Sequence, residues 1–212
     1  MDNAFHFALI CEFRGRHYLR MYSLDLKNTQ LVDIAPELKN RSISDTASTL
    51  ILDESYDSFV LCSNSVFQRY EHALSPSLTP SMTGTLLSET KVSVTAPVVW
   101  DLIEDGKYLI ADARGQIFLL VLAKRLSLTP LGHVDALMAI HYLDNRVVFT
   151  ASYSGPSRLL RIHQNHLEVV AEYPNQGPII DVTTLPDPVN DSVALVGASG
   201  YDSVRDTRRR DV

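Results

Sequence analysis

The chain has 212 residues, enough for one large domain or two small ones. It is 45% hydrophobic and 21% charged, the composition of a folded globular protein rather than a disordered one. A formal charge of −6 argues against a generic nucleic-acid grip, which needs a broad basic face, and two cysteines, Cys11 and Cys62, supply neither a disulfide framework nor a zinc set. The N-terminus lacks a basic-then-apolar signal pattern, and the apolar run IFLLVLA falls far short of a membrane span. The expectation is a soluble intracellular protein of a reducing compartment.

Taken in chain order, the sequence repeats one device. FALICEFRGRHYLRMYSLDL, Phe7 to Leu26, is two strand-forming runs around a turn at Arg14-Gly15-Arg16. PELKNRSISDTAS has polar and turn residues where a helix would need an apolar stripe. ASTLILD, Ala47 to Asp53, supplies a strand ahead of the next hairpin, SFVLCSNSVFQRYEH, which turns at Ser63-Asn64-Ser65. ALSPSLTPSMTG, Ala73 to Gly84, reads as an exposed loop. KVSVTAPVVWDLI, Lys91 to Ile103, reads as a further strand; its Trp100, the sole tryptophan, is expected in the core rather than as a surface anchor.

GKYLIADARGQIFLLVL, Gly106 to Leu122, is the clearest hairpin. Asp112 suits a turn start because its carboxylate can accept backbone N–H groups two residues on, and Gly115 takes positive φ at no steric cost. The expected loop has three to five residues. The second run is apolar at nearly every position, so both of its faces should be covered, which requires stacked sheets. ALMAIHYLD then supplies a strand, RVVFTASYSGPSRLLRIH turns at Ser154-Gly155-Pro156, and SVALVGASGYDSVR begins another unit.

With Phe7, Phe59, Tyr108, Val147 and Ala194 as starts, the steps are 52, 49, 39 and 47 residues. Four short strands every ~40–50 residues is the spacing of β-propeller blades, and it favours a propeller over a generic β-sandwich. The expected fold is all-β: a WD-repeat-like propeller segment of four to five blades, an open arc because the first and last blades look incomplete.

The order of motifs resembles the end of the first propeller in the DNA-damage-binding protein 1 family. That group is related to the large subunit of the cleavage and polyadenylation specificity factor and to a large splicing factor 3b subunit. The resemblance rests on the pattern from Tyr142 to Leu159, on GPI-D from Gly177 to Asp181, and on the glycine-bearing ASG from Ala198 to Gly200. GRHYLRMYSLDL resembles an earlier strand pair of the same propeller. The likeness runs from about Phe5 to Arg205 in unbroken order. It departs where Gly155-Pro156-Ser157 replaces Gly-Asp-Ser and where YDSVRDTRRRDV fails to continue the next strand. The expected domains are residues 1–174, a partial first propeller, and 175–212, a connector with the start of a further blade and a frayed tail, in a fragment or truncated gene model.

The resemblance implies a non-enzymatic adaptor of a cullin–RING ubiquitin ligase in DNA repair or chromatin regulation. It implies substrate-receptor proteins and a cullin ligase as partners, indirect contact with nucleic acid, no membrane, and residence in the nucleus with the cytoplasm second. An RNA-processing subunit of the same superfamily is the alternative, and a propeller hydrolase a remote one. Carried over by position, the partner-binding residues are Tyr153 and Ser154 at one turn, Pro178, Ile179 and Ile180 at the next, and Gly200 and Tyr201 at the last. Alternation in a strand would turn one of Ile179 and Ile180 inward whatever the function.

Catalytic and metal signatures are expected to be absent, and no cofactor is expected. GASGYDS fails the nucleophile-elbow pattern, and no phosphate-binding glycine loop precedes a Lys-Ser/Thr. His163 and His166 have a spacing some zinc sites use, but they flank a polar turn. Asp101, Glu104 and Asp105 read as a solvated acidic turn rather than an acid/base pair. Arg205, Arg208, Arg209 and Arg210 alternate with aspartates and read as a solvated tail rather than a phosphate grip.

Overall fold

The structure, a computed structural model, describes residues 4–33, 42–53, 58–71, 86–164, 166–175, 177–187 and 192–199. Every regular element among them is a β-strand, so none is a helix long and apolar enough to cross a membrane. In the first sheet, β1 (Ala4–Phe13) pairs with β2 (Arg16–Asp25), whose other edge takes β3 (Gln30–Asp33) and the short β4 (Ser42–Ile43). The second sheet runs in order through β5 (Thr49–Asp53), β6 (Ser58–Cys62), β7 (Val66–Glu71) and β8 (Leu86–Lys91). The third runs through β9 (Pro97–Glu104), β10 (Lys107–Asp112), β11 (Gln116–Leu122) and β12 (Leu126–His133). The fourth runs through β13 (Leu137–Asp144), β14 (Val147–Ser152), β15 (Ser157–Ile162) and β16 (Leu167–Tyr173). A final pair, β17 (Ile179–Asp187) and β18 (Ser192–Ser199), forms a two-stranded sheet. Serial four-stranded meanders are propeller blades; the second, third and fourth sheets have that form, the first sets β3 and β4 side by side on one edge of β2, and with the β17–β18 pair they make the expected four to five units.

The turns follow from local chemistry. Asp112 Oδ1 accepts the Arg114 and Gln116 N–H groups at 2.9 and 3.0 Å, and Gly115 sits at φ +88°. A Cβ at Gly115 would run into the Val134 carbonyl oxygen, so glycine is required there for space as well as for backbone sign. The β1–β2 loop is tighter than expected. Phe13 pairs with Arg16, leaving only Arg14 (φ 51°) and Gly15 (φ 70°), both left-handed as in a type I′ turn. Asn145 and Arg146 do the same between Asp144 and Val147. The Ser63-Asn64-Ser65 turn joins β6 to β7, with the Ser63 hydroxyl donating to the Val66 carbonyl at 2.7 Å. The stretch from Lys91 to Ile103 is not one strand: β8 ends at Lys91, β9 starts at Pro97, and Ala96 between them has φ 47°. Asn64 Oδ1 holds the Ala96 N–H at 2.9 Å, a partner 32 residues away that the linear pattern did not announce.

The chain divides into two units, Met1–Pro97 with Leu122–Ser127, and Val98–Val121 with Leu128–Val212. In the first, Leu19 and Met21 of β2 pack with Phe59, Leu61 and Tyr70 of the second sheet. Arg69 is buried there, donating to the Ser58 hydroxyl at 2.9 Å and the Ala123 carbonyl at 3.0 Å, with Asp53 3.9 Å away. In the second unit, Leu109, Ala111 and Ile117 of the third sheet pack with Leu137, Ile140, Val148 and Leu160 of the fourth. Each such Leu, Ile, Val, Phe or Met side chain contributes about 1.5–3 kcal/mol by leaving water. No residue of β11 is exposed, which bears out the expectation that both faces of IFLLVL are covered.

Two expectations are corrected. Trp100 is not a core residue: its indole is 37% exposed and meets Tyr108 edge-on at 5.9 Å. It shares the outward phase of β9 with Val98 and Leu102, whereas Val99 and Ile103 take the inward one. Asp101 is not part of a solvated turn. It lies within β9, and its Oδ2 accepts the Tyr142 N–H at 2.6 Å and contacts His141 Nδ1 at 3.0 Å, tying β9 to β13. Glu104 pairs with Lys107 across the turn that follows.

Candidate protein-docking surface

The loop between β14 and β15 runs from Tyr153 to Pro156. Ser152 starts it: its buried Oγ accepts the Ser154 and Gly155 N–H groups at 3.3 and 2.9 Å and donates to the Ala136 carbonyl at 3.1 Å. This serine-centred turn follows from a short hydroxyl side chain competing for backbone donors. It leaves Tyr153 55% exposed and Ser154 exposed at the tip. Gly155 packs beneath Asp135, and a Cβ there would lie 2.6 Å from the Asp135 carboxylate. Arg158 holds that carboxylate at 2.7 Å and Glu172 at 2.6 Å. The hydrogen bond to Glu172 first, then the charge of Asp135, raises the guanidinium pKa further above its ordinary value.

Asn175 reaches this loop from the segment that follows β16. Its Oδ1 accepts the Ser157 N–H at 3.3 Å and the Ser157 hydroxyl at 2.7 Å. Its Nδ2 donates to the Ser152 and Gly155 carbonyls at 3.1 and 3.0 Å. Two residues on, Gly177 and Pro178 lead into β17, where Ile179 pairs with Ser199 and Asp181 with Ala198. Ile180 is the extra residue of a β-bulge. Ile179 therefore points inward, half-buried, while Ile180 points outward and is 49% exposed, as alternation required. Ile179 helps line an open cleft of about 450 Å³ with Phe149, Leu159, Tyr173, Val182 and Leu195.

Five of the seven residues proposed from sequence thus lie on two neighbouring segments joined through Asn175. Pro178 is half-buried, and Ile179 and Ile180 face opposite ways. Gly200 and Tyr201 lie outside the described residues, as do the arginines of the tail. Asn175 carries no linear signal of this role; in Asn-Gln-Gly-Pro it reads only as turn composition, and its partners lie 18 to 23 residues back. What the arrangement offers is an exposed aromatic on a firmly held loop beside an apolar cleft, features that suit binding rather than bond-making.

Elsewhere, the His163 and His166 rings stack at 4.6 Å and His163 Nε2 contacts Glu168 at 2.8 Å. The His163 hydrogen bond holds the exposed Glu168 carboxyl below its ordinary pKa. Among the described residues, no three His, Cys, Asp or Glu side chains gather as a metal ion would need. Cys62 is fully buried, and desolvation pushes its thiol far up, so it is held as an unreactive thiol.

The family model for the RSE1/DDB1/CPSF1 first beta-propeller matches residues 2–174. DNA damage-binding protein 1b of Arabidopsis thaliana is 33% identical over 91 residues, which is 37% of this chain and 8% of the relative. DNA damage-binding protein 1a of the same plant is 34% identical over 91 residues, and DNA damage-binding protein 1 of Oryza sativa subsp. japonica is 33% identical over 90, with the same coverage. The match therefore spans a small part of these relatives' length.

Proposed function

This chain belongs to the RSE1/DDB1/CPSF1 first β-propeller family, and from that footing we propose that it acts as a non-enzymatic adaptor for a cullin–RING ubiquitin ligase. Its coarse role, a propeller scaffold of this superfamily, follows from the family. The adaptor reading draws its support from one observation: the relatives reported above are named for DNA-damage binding. In this reading, substrate-receptor proteins dock on the surface carrying Tyr153, Ser154, Pro178, Ile179 and Ile180, with Gly200 and Tyr201 continuing it. Residues 175–212 form the connector and the start of the next blade. The protein works in the nucleus, and its negative net charge makes contact with nucleic acid indirect.

Affinity purification from nuclei of the source organism, read by mass spectrometry, tests this. Recovery of cullin and receptor subunits is the expected result. Recovery of polyadenylation or splicing subunits would replace the reading with the RNA-processing one. Tyr153→Ala and Ile180→Asp, both at exposed positions, are expected to weaken the recovered complex about 30-fold each, the effect of losing an interface hot spot of ~2 kcal/mol.

A further inference from the structure

The Asn175 amide spends all of its local hydrogen-bonding reach on one loop. Its oxygen takes both donors of Ser157, and its two N–H groups go to the carbonyls of Ser152 and Gly155, on either side of the tip that carries Tyr153 and Ser154. Ser152 and Ser157 are each 1% exposed, so the serine ends of these bonds are sheltered from water. Asn175 also begins the segment that delivers Pro178 and Ile179. The other side of the loop is fixed as well, by Asp135 against Gly155 and by Arg158 between Asp135 and Glu172.

We propose that Asn175 is a positioning residue that holds the Tyr153 loop rigid, as a preset docking element for the receptor protein of the adaptor reading. Only an amide does this, because the loop presents two donors to one end of the side chain and two acceptors to the other. A preset Tyr153 loses little freedom on binding, which is how a small exposed aromatic becomes an anchor. The functional half of this inference rests on the adaptor reading; the mechanical half does not.

The test uses the 212-residue chain and three forms: wild type, Asn175→Ala and Asn175→Asp. Backbone order parameters at Tyr153 and Ser154, and exchange of the Ser157 amide, report the loop. Asn175→Ala is expected to speed Ser157 exchange by about tenfold and to lower order at the loop tip, while the Leu109 and Leu160 amides of the core exchange as before. Asn175→Asp separates the two ends of the side chain. At pH 7 its carboxylate still accepts from Ser157 but repels the Ser152 and Gly155 carbonyls, so the tip loosens. Near pH 4, protonation returns one donor and order at the tip is expected to recover in part. Asp135, Arg158 and Glu172 are the charged groups beside the loop, and wild type over the same pH range controls for them.

Unchanged order at Tyr153 in both variants would overturn the proposal. A loosened loop with an unaltered set of purified partners would keep the clamp and remove the docking surface. Loss of the core protection in Asn175→Ala would leave the pH response of Asn175→Asp to decide, and a flat response would overturn the proposal.

Discussion

The hairpins β10–β11 and β17–β18 are written in similar letters and live in different surroundings. Both are apolar, strand-forming and closed by antiparallel ladders. In the first, every residue from Tyr108 to Asp112 is buried, and nothing in β11 is exposed. In the second, Ile180, Leu185 and Val196 are each about half exposed, on the face away from the cleft. The difference is company. The β10–β11 pair has a strand on each side and the fourth sheet packed on its Leu109–Ile117 face. The β17–β18 pair has one neighbour per strand, each other, among the described residues. Composition decides that a segment is a strand; the sheets around it decide what that strand is worth.

The sharpest way to break this contrast is by cavity. Leu109→Ala and Leu120→Ala, both at 0% exposure, are expected to cost about 2–5 kcal/mol in chemical denaturation. Leu185→Ala and Val196→Ala should stay within about 0.5 kcal/mol. Equal losses would mean that the terminal pair is as well supported as the central one. Turn glycines give a second, smaller contrast. Gly115→Ala combines a left-handed φ with a collision against backbone, and is expected to lose more than ~2 kcal/mol. Gly15→Ala has φ +70° and open space around it, so only the ~1 kcal/mol backbone penalty remains. Similar denaturation midpoints for the two would show that the Val134 carbonyl yields freely.

The smallest effects lie at the exposed carboxylates. Asp25 is held below its ordinary pKa first by the Lys27 N–H and then by Asn28, and Glu168 first by the His163 hydrogen bond. A depressed folded-state pKa gives stability that is present above the unfolded value and lost as pH falls through the folded one. Carboxyl NMR titration should place both midpoints below ordinary Asp and Glu values. Asp25→Asn and Glu168→Gln should flatten the acid limb of the stability curve only slightly. A larger flattening at either site would contradict its exposed setting.

Much of the fold was legible because its determinants are local. Asp112 and Gly115 describe their own turn within four residues, and the step between hairpins needs only counting. Burial against distant partners was not legible. Trp100 sits in a strand as apolar as any other, but its outward phase depends on which sheets stack beside β9. Asp101 looked solvated because Glu104 and Asp105 follow it, while its partners His141 and Tyr142 come 40 and 41 residues later. The candidate surface was half legible. Its exposed residues follow from turn chemistry, whereas the Asn175 bonds that organise them cross three strand boundaries.

The bulge at Ile180 separates what is inherited together in an ordinary strand. Because Ile180 sits outside the one-to-one ladder, Ile179 and Val182 both reach the cleft although they are three residues apart. Removing Ile180 would leave them two apart, still on one side, with the pairing of Asp181 to Ala198 and Val182 to Gly197 intact. The position is therefore a free variable. Its side chain, and even its presence, can be rewritten without re-indexing the strand, so the outward chemistry of this edge can change while the strand pair that carries it stays the same.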